Sequence, residues 1–208
     1  MPKVSDEYRL ARRQQIVAAG RRCVSAHGFH KTTMADVIRE SELSAGAVYG
    51  YFKSKDEIVA AIADEALGTV DELFRTILAD ERPLAPAEVM RTILEHVITL
   101  AERPGGDVTR IALQAWAEAV HNTAIAALAR EKYTLVRNHY VTVVRRAQAD
   151  GTVDPDVDAD HVGQVLFGML PGFVLQRLVL GDVTVDSYAA GITALLGGPP
   201  AQQTGERG

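Results

Sequence analysis

Between positions 28 and 57 the chain lays out side chains suited to recognising a grooved polyanion. Thr33, Ser44, Tyr49 and Tyr51 carry hydroxyls, Lys55 carries a cation, and Ala45, Gly46, Ala47 and Gly50 are small. Thr33 followed by Asp36, and Ser54 followed by Glu57, have the spacing with which a hydroxyl and a carboxylate cap the start of a helix. Ser44 opens a further short helix, whose outward face is Ser44, Ala45, Gly46, Ala47, Tyr49 and Gly50. Small residues on that face let a helix sink into the major groove of double-stranded DNA, where alanine can meet a thymine methyl. The two tyrosine hydroxyls can donate to phosphates. Lys55 and the free amides at the following helix start, and those after Thr33, offer further anion contacts. Arg12 and Arg13 either reach flanking phosphates or form an ordinary solvated charge run.

Other chemistries lack their parts. No glycine-rich phosphate loop follows a strand, and no serine or cysteine has a plausible activating base. The six histidines, 27, 30, 96, 121, 139 and 161, are scattered without the spacing of metal ligands. The acidic run Asp154–Asp160 lacks the glycine and the bidentate glutamate of a calcium loop and reads as a solvated segment with a favourable negative helix start. No enzyme, metal or cofactor is therefore expected. Cys23 is the only cysteine, so no intrachain disulfide can form, and its place on an apolar stripe makes it a buried small hydrophobe.

The elements that must position these residues are helices. Apolar residues recur at helical spacing throughout and no alternating strand pattern is present. Helices are expected at about 6–26, from Thr33, from Ser44, from Ser54 to about Leu78, then near 86–102, 107–120, 123–149, 158–180 and 185–196. Glu40-Ser41-Glu42-Leu43-Ser44 has the length of the turn in a helix-turn-helix. Val37, Leu43, Val48 and Phe52 are spaced to pack inward. The expected organisation is all-α: a DNA-binding domain over 1–56, a helical ligand-binding and dimerisation domain over 57–197, and a disordered tail over 198–208. Charge divides in the same way. Residues 1–56 hold ten Lys/Arg and six Asp/Glu, a net of +4, and the rest holds 12 and 21, a net of −9. A basic head on an acidic body is the electrostatic footprint of a DNA reader.

Ile16, Ala19, Gly28-Phe29, Thr32-Thr33, Val37, Leu43-Ser44, Val48-Tyr49, Tyr51-Phe52, Lys55 and Glu57 together resemble the DNA-binding signature of the TetR family of one-component regulators. The resemblance covers about residues 10–60. It implies DNA contacts from Thr33, Ser44, Gly46, Tyr49, Tyr51 and Lys55, largely to the backbone, with Ala45 and Ala47 beside the bases. Two departures stand out. Glu42 occupies a turn position where the family commonly has glycine, and Ile38 stands where a small alanine is common.

For the body the resemblance implies a cavity for an unidentified small-molecule effector. Phe74, Met90, His96, Trp116, Tyr133, Tyr140 and Phe173 are candidate lining residues, although ordinary core packing is the competing role for each. The apolar stretch Val162–Gly181 contains Gln164, Gln176 and Arg177, which argues against a membrane span and for a helix at a subunit interface. Its glycines let helices approach closely, and Pro171 is expected to kink it. Gly163, Phe167, Gly168, Gly172, Leu175 and Val179, with Tyr188, Ile192 and Leu195 of the last helix, are the candidate homodimer face. The expected protein is a soluble, cytoplasmic, homodimeric transcriptional regulator, a repressor released from a palindromic operator by a small apolar or amphipathic ligand. Nothing in the sequence separates this from the same fold acting as an activator or answering to a protein partner.

Overall fold

The computed structural model describes residues 6–104 and 106–196; the tail expected over 198–208 lies outside them. Nine α-helices occur among the described residues and no strand. They are α1 (Asp6–His27), α2 (Met34–Ser41), α3 (Ala45–Tyr51), α4 (Lys55–Ala79), α5 (Pro86–Ala101), α6 (Val108–Ala119), α7 (Thr123–Ala149), α8 (Ala159–Val179) and α9 (Val185–Leu196). Boundaries follow the local chemistry. Gly28 ends α1 with φ 87°, a left-handed conformation that glycine adopts without strain, and its N–H reaches Val24 O at 2.9 Å. Asp158 starts α8 by accepting from the N–H groups of Asp160 and His161, which holds its carboxyl below the usual range.

The chain packs as two compact units. The first comprises the chain up to Glu72 together with Val97–Thr134. Its core begins on α1, where Ile16, Val17, Ala19, Cys23 and Val24 are buried at helical spacing. Val37, Val48 and Phe52 pack onto this stripe as expected, with Leu43 partly buried against it. The same core continues through Ile58, Val59 and Ile62 of α4, Ile111 of α6 and Ile125 of α7, well beyond residue 56. A Cβ on Gly20 would overlap Cγ2 of Ile58, so α1 and α4 touch at a point only glycine allows. Cys23 is buried and free, and burial pushes its thiol pKa up.

The second unit comprises Leu73–His96 and the chain from Leu135 onward. Phe74, Met90, Ile93, Leu94, Tyr140, Val143, Val144, Leu166 and Phe173 fill its core. Arg146 donates to Leu78 O at 2.8 Å, a carbonyl in the last turn of α4, and to Arg82 O at 2.9 Å in the loop that follows. Pro171 lies inside α8.

Candidate nucleic-acid interface

The second and third helices are built from their caps. Thr33 is extended (φ −116°, ψ 163°). Its Oγ1 accepts from Asp36 N at 3.2 Å and donates to Asp36 Oδ2 at 2.7 Å, while Thr33 N donates to the same carboxylate oxygen at 2.9 Å. These bonds, the hydroxyl's first, and then Arg39 lower the Asp36 pKa to about 2. The Thr33 hydroxyl is thus engaged within the cap. Ser44 Oγ accepts from Ala47 N at 3.2 Å, leaving its own O–H to donate outward. Between the caps, Gln15 Nε2 holds Ser41 O at 2.7 Å, and Glu42 makes the turn at φ 56°, ψ 26°. That is the left-handed geometry its position demands, supplied here by a residue with a Cβ.

The face presented by α3 matches the expected one. Val48 is fully buried, whereas Ser44, Ala45, Gly46, Tyr49 and Gly50 are exposed and Ala47 is half-exposed. A Cβ at Gly46 or Gly50 would meet nothing within 4 Å, so both lie on an open surface. Tyr51 is half-buried against the core. Lys53, absent from the sequence-based set, folds back so that its ammonium reaches Tyr49 O at 2.5 Å.

Lys55 is engaged inside the protein. Its ammonium donates to Phe29 O at 2.7 Å and lies 4.2 Å from the centre of the Phe29 ring, leaving two N–H bonds for other partners. The capping box expected at this helix start forms with a shift. Ser54 Oγ accepts from Glu57 N at 3.2 Å, but the Glu57 carboxylate reaches back to Lys53 N, at 2.6 Å, one residue before the expected Ser54. Asp56 and Glu57 also fill the first turn of α4, and their charge opposes an anion there.

Sequence reasoning missed two residues that hold this surface from α6. Gln114 Oε1 accepts from Phe29 N at 2.8 Å, and Glu118 Oε2 lies 2.9 Å from His30 Nε2. Neither carries a local signal, because both contacts exist only once distant segments meet.

The candidate effector residues are divided between the two units. Trp116 and Tyr133 belong to the first unit, where the indole N–H donates to the Tyr133 hydroxyl. Phe74, Met90, His96, Tyr140 and Phe173 belong to the second. There the Phe74 ring meets Tyr140 edge-on at 5.0 Å and stacks on His139 at 4.8 Å, whereas Phe173 packs on Tyr188 at 5.3 Å. His139 carried no sequence signal beyond its type; burial, then Arg75, lowers its pKa. The Tyr140 hydroxyl is buried without a hydrogen-bond partner, and burial raises its pKa.

The candidate dimer residues also divide. Two belong inside the subunit: Gly163 is buried where a Cβ would press on Val141, and Ile192 is buried in the core. Tyr188 is half-buried and donates to Met169 O at 2.8 Å, and Phe167 and Gly172 are half-buried. Gly168, Leu175, Val179 and Leu195 are exposed, as are their neighbours Val165, Leu180 and Leu196. By length and composition α8 is apolar enough to cross a bilayer, and only 22% of its apolar window is buried.

A capped helix, a tight turn and a short helix with a small-residue outer face, in an otherwise all-helical chain, define a helix-turn-helix DNA-binding regulator. Residues 16–62 match the family described as bacterial regulatory proteins, tetR family, and residues 86–198 match the C-terminal region of BetI-type transcriptional repressors. The chain belongs to the TetR family of transcriptional regulators. The HTH-type transcriptional regulator UidR of Escherichia coli K12 is 24% identical over 187 residues, covering 89% of this chain and 91% of that protein. The structure of Salmonella enterica GusR superposes with a TM-score of 0.73 at 22% identity, covering 93% of this chain and 98% of that one. FadR from Bacillus subtilis, solved in complex with stearoyl-CoA, superposes with a TM-score of 0.75 at 17% identity, covering 88% and 96%. UidR and FadR are both transcriptional regulators.

Proposed function

We propose that the protein is a homodimeric repressor that binds a palindromic operator and leaves it when a small apolar or amphipathic molecule enters the helical body. The observation that carries the dimeric reading is a stripe on α8. Val165, Gly168, Gly172, Leu175 and Val179 recur at alternating spacings of three and four, so they share one helix face. Val165, Leu175 and Val179 are 59%, 48% and 66% exposed. Contiguous apolar surface of this kind marks an interaction face, and a second copy supplies a self-complementary one. Two-fold pairing then presents two α3 helices to successive major grooves.

Support for the effector comes from the second unit. A fully buried hydroxyl without a partner is costly, and the Tyr140 hydroxyl beside Phe74 is one. A ligand with an apolar body and a carbonyl or hydroxyl satisfies it. Stearoyl-CoA, bound by the FadR neighbour, is amphipathic in the same sense. The route to the DNA is α4, one unbroken helix that begins at Lys55 beside the head and carries Leu73, Phe74, Ile77 and Leu78 into the second unit.

Linkage tests the reading. An effector that releases the repressor lowers operator affinity by about 5- to 150-fold, and saturating operator lowers effector affinity by the same factor. Isothermal titration calorimetry with and without operator gives a direct readout of effector affinity. A ligand that binds equally well with and without operator is not the inducer. If no apolar or amphipathic ligand showed coupling, the alternative in which a protein partner controls the same fold would be preferred.

A further inference from the structure

The turn joining α1 to α2 is held by side chains remote from it in sequence. Phe29 N–H donates to Gln114 Oε1 at 2.8 Å, across 85 positions, and Phe29 O accepts from Lys55 Nζ at 2.7 Å, across 26. Both polar groups of one peptide residue are therefore satisfied from outside the turn. One residue further on, His30 Nε2 lies 2.9 Å from Glu118 Oε2, and the Glu118 side chain is only 12% exposed. Gln114 and Glu118 stand four apart on α6, so they project from the same face one helical turn from each other. Thr32 Oγ1 closes the segment onto Gly28 O at 2.8 Å, and Thr33 then caps α2. The cap that starts α2 is thus connected to α6 through a short segment in which Phe29, His30 and Thr32 have fixed partners.

We propose that Gln114 and Glu118 are positioning residues for operator recognition: by gripping the α1–α2 turn they fix the angle at which α2 and α3 are presented to the groove. The inference rests on the DNA-binding reading of the head and is independent of any effector. Non-specific attraction to phosphates tolerates a range of orientations, whereas base readout does not. Loss of the grip therefore lowers the ratio of operator affinity to non-specific affinity rather than both together.

The test uses the full-length protein and an operator duplex selected from random-sequence DNA by the wild type, with a scrambled duplex of equal length as the non-specific competitor. Gln114→Leu, which leaves the Phe29 N–H unpaired, is expected to lower the affinity ratio about tenfold. Gln114→Glu, which keeps an acceptor oxygen in place, is expected to restore it. Glu118→Ala, at a contact whose histidine partner is largely exposed, provides a second variant that keeps the core intact and is expected to lower the ratio about threefold. An unchanged ratio in Gln114→Leu and Glu118→Ala overturns the inference. So does failure of Gln114→Glu to rescue, or a parallel fall in specific and non-specific binding, which marks a merely structural role. A wild type that selects no preferred duplex contradicts the DNA-binding reading itself, a different outcome.

Discussion

Glu42 carries a left-handed backbone, alone among the non-glycine residues described. For an L-residue that geometry costs on the order of 1–2 kcal/mol, against roughly 0.5–1 kcal/mol for the extra chain freedom glycine loses on folding. Glu42→Gly is therefore expected to stabilise the protein by about 0.5–1 kcal/mol, raising Tm by about 1–4 °C in a chain of this size. A lower Tm would show that the glutamate makes a contact worth more than its strain. At Thr33 the prediction concerns pH. The Asp36 pKa is depressed to about 2, so its cap is intact above the ordinary carboxylate pKa near 4 and is lost as pH falls through about 2. Thr33→Ala, which removes the hydroxyl but keeps the backbone N–H, should return Asp36 part of the way toward its ordinary pKa in an NMR titration; an unmoved value would mean that the backbone N–H of residue 33 and Arg39 set it. Tyr140→Phe removes an unpartnered buried hydroxyl and should raise thermal stability while weakening effector binding; a lower Tm would reveal a hydrogen bond made by that hydroxyl. These sites were legible in the sequence to different degrees. Caps act across three residues, so Thr33–Asp36, Ser44 and the strained turn at Glu42 could be read directly. The engagement of Lys55 with Phe29, and of Gln114 with the same residue, depends on tertiary packing, and no local pattern announces it.

Helix positions were legible because the helices present apolar residues at a helical period or begin at a capping side chain. The phase of α8 was not. A helix that is apolar nearly all round gives no indication of which face turns inward, so Gly163, used against Val141 inside the subunit, could not be told from Gly168, whose Cβ would meet nothing. That contrast supplies the test of the α8 face. Gly168→Leu adds a side chain in open space and improves helix propensity by up to about 1 kcal/mol, so the subunit should keep its helicity. Sedimentation equilibrium should nevertheless show a weakened dimer, because the helices of two copies can no longer approach. A dimer of wild-type strength would move the interface away from this stripe. Gly172 is a poorer probe, since its added Cβ would lie 3.1 Å from the Tyr188 hydroxyl of the same chain.

At the scale of the whole molecule, the charge contrast between residues 1–56 and the rest survives as a property of the sequence, but the packing does not divide there. The core that holds the reading helices includes Ile58, Ile62, Ile111 and Ile125, so removing the first 56 residues would expose it, and truncation is an unsuitable test of dimerisation. The sequence pattern could not have revealed this, because a helix that serves two cores shows one continuous apolar stripe. Hydroxyl-radical footprinting on a selected operator measures whether two copies present their α3 helices to a two-fold related pair of grooves. Two protected patches related by a dyad are expected, with centres about 34–36 Å apart or a multiple of that spacing. A single protected patch without dyad symmetry would contradict it.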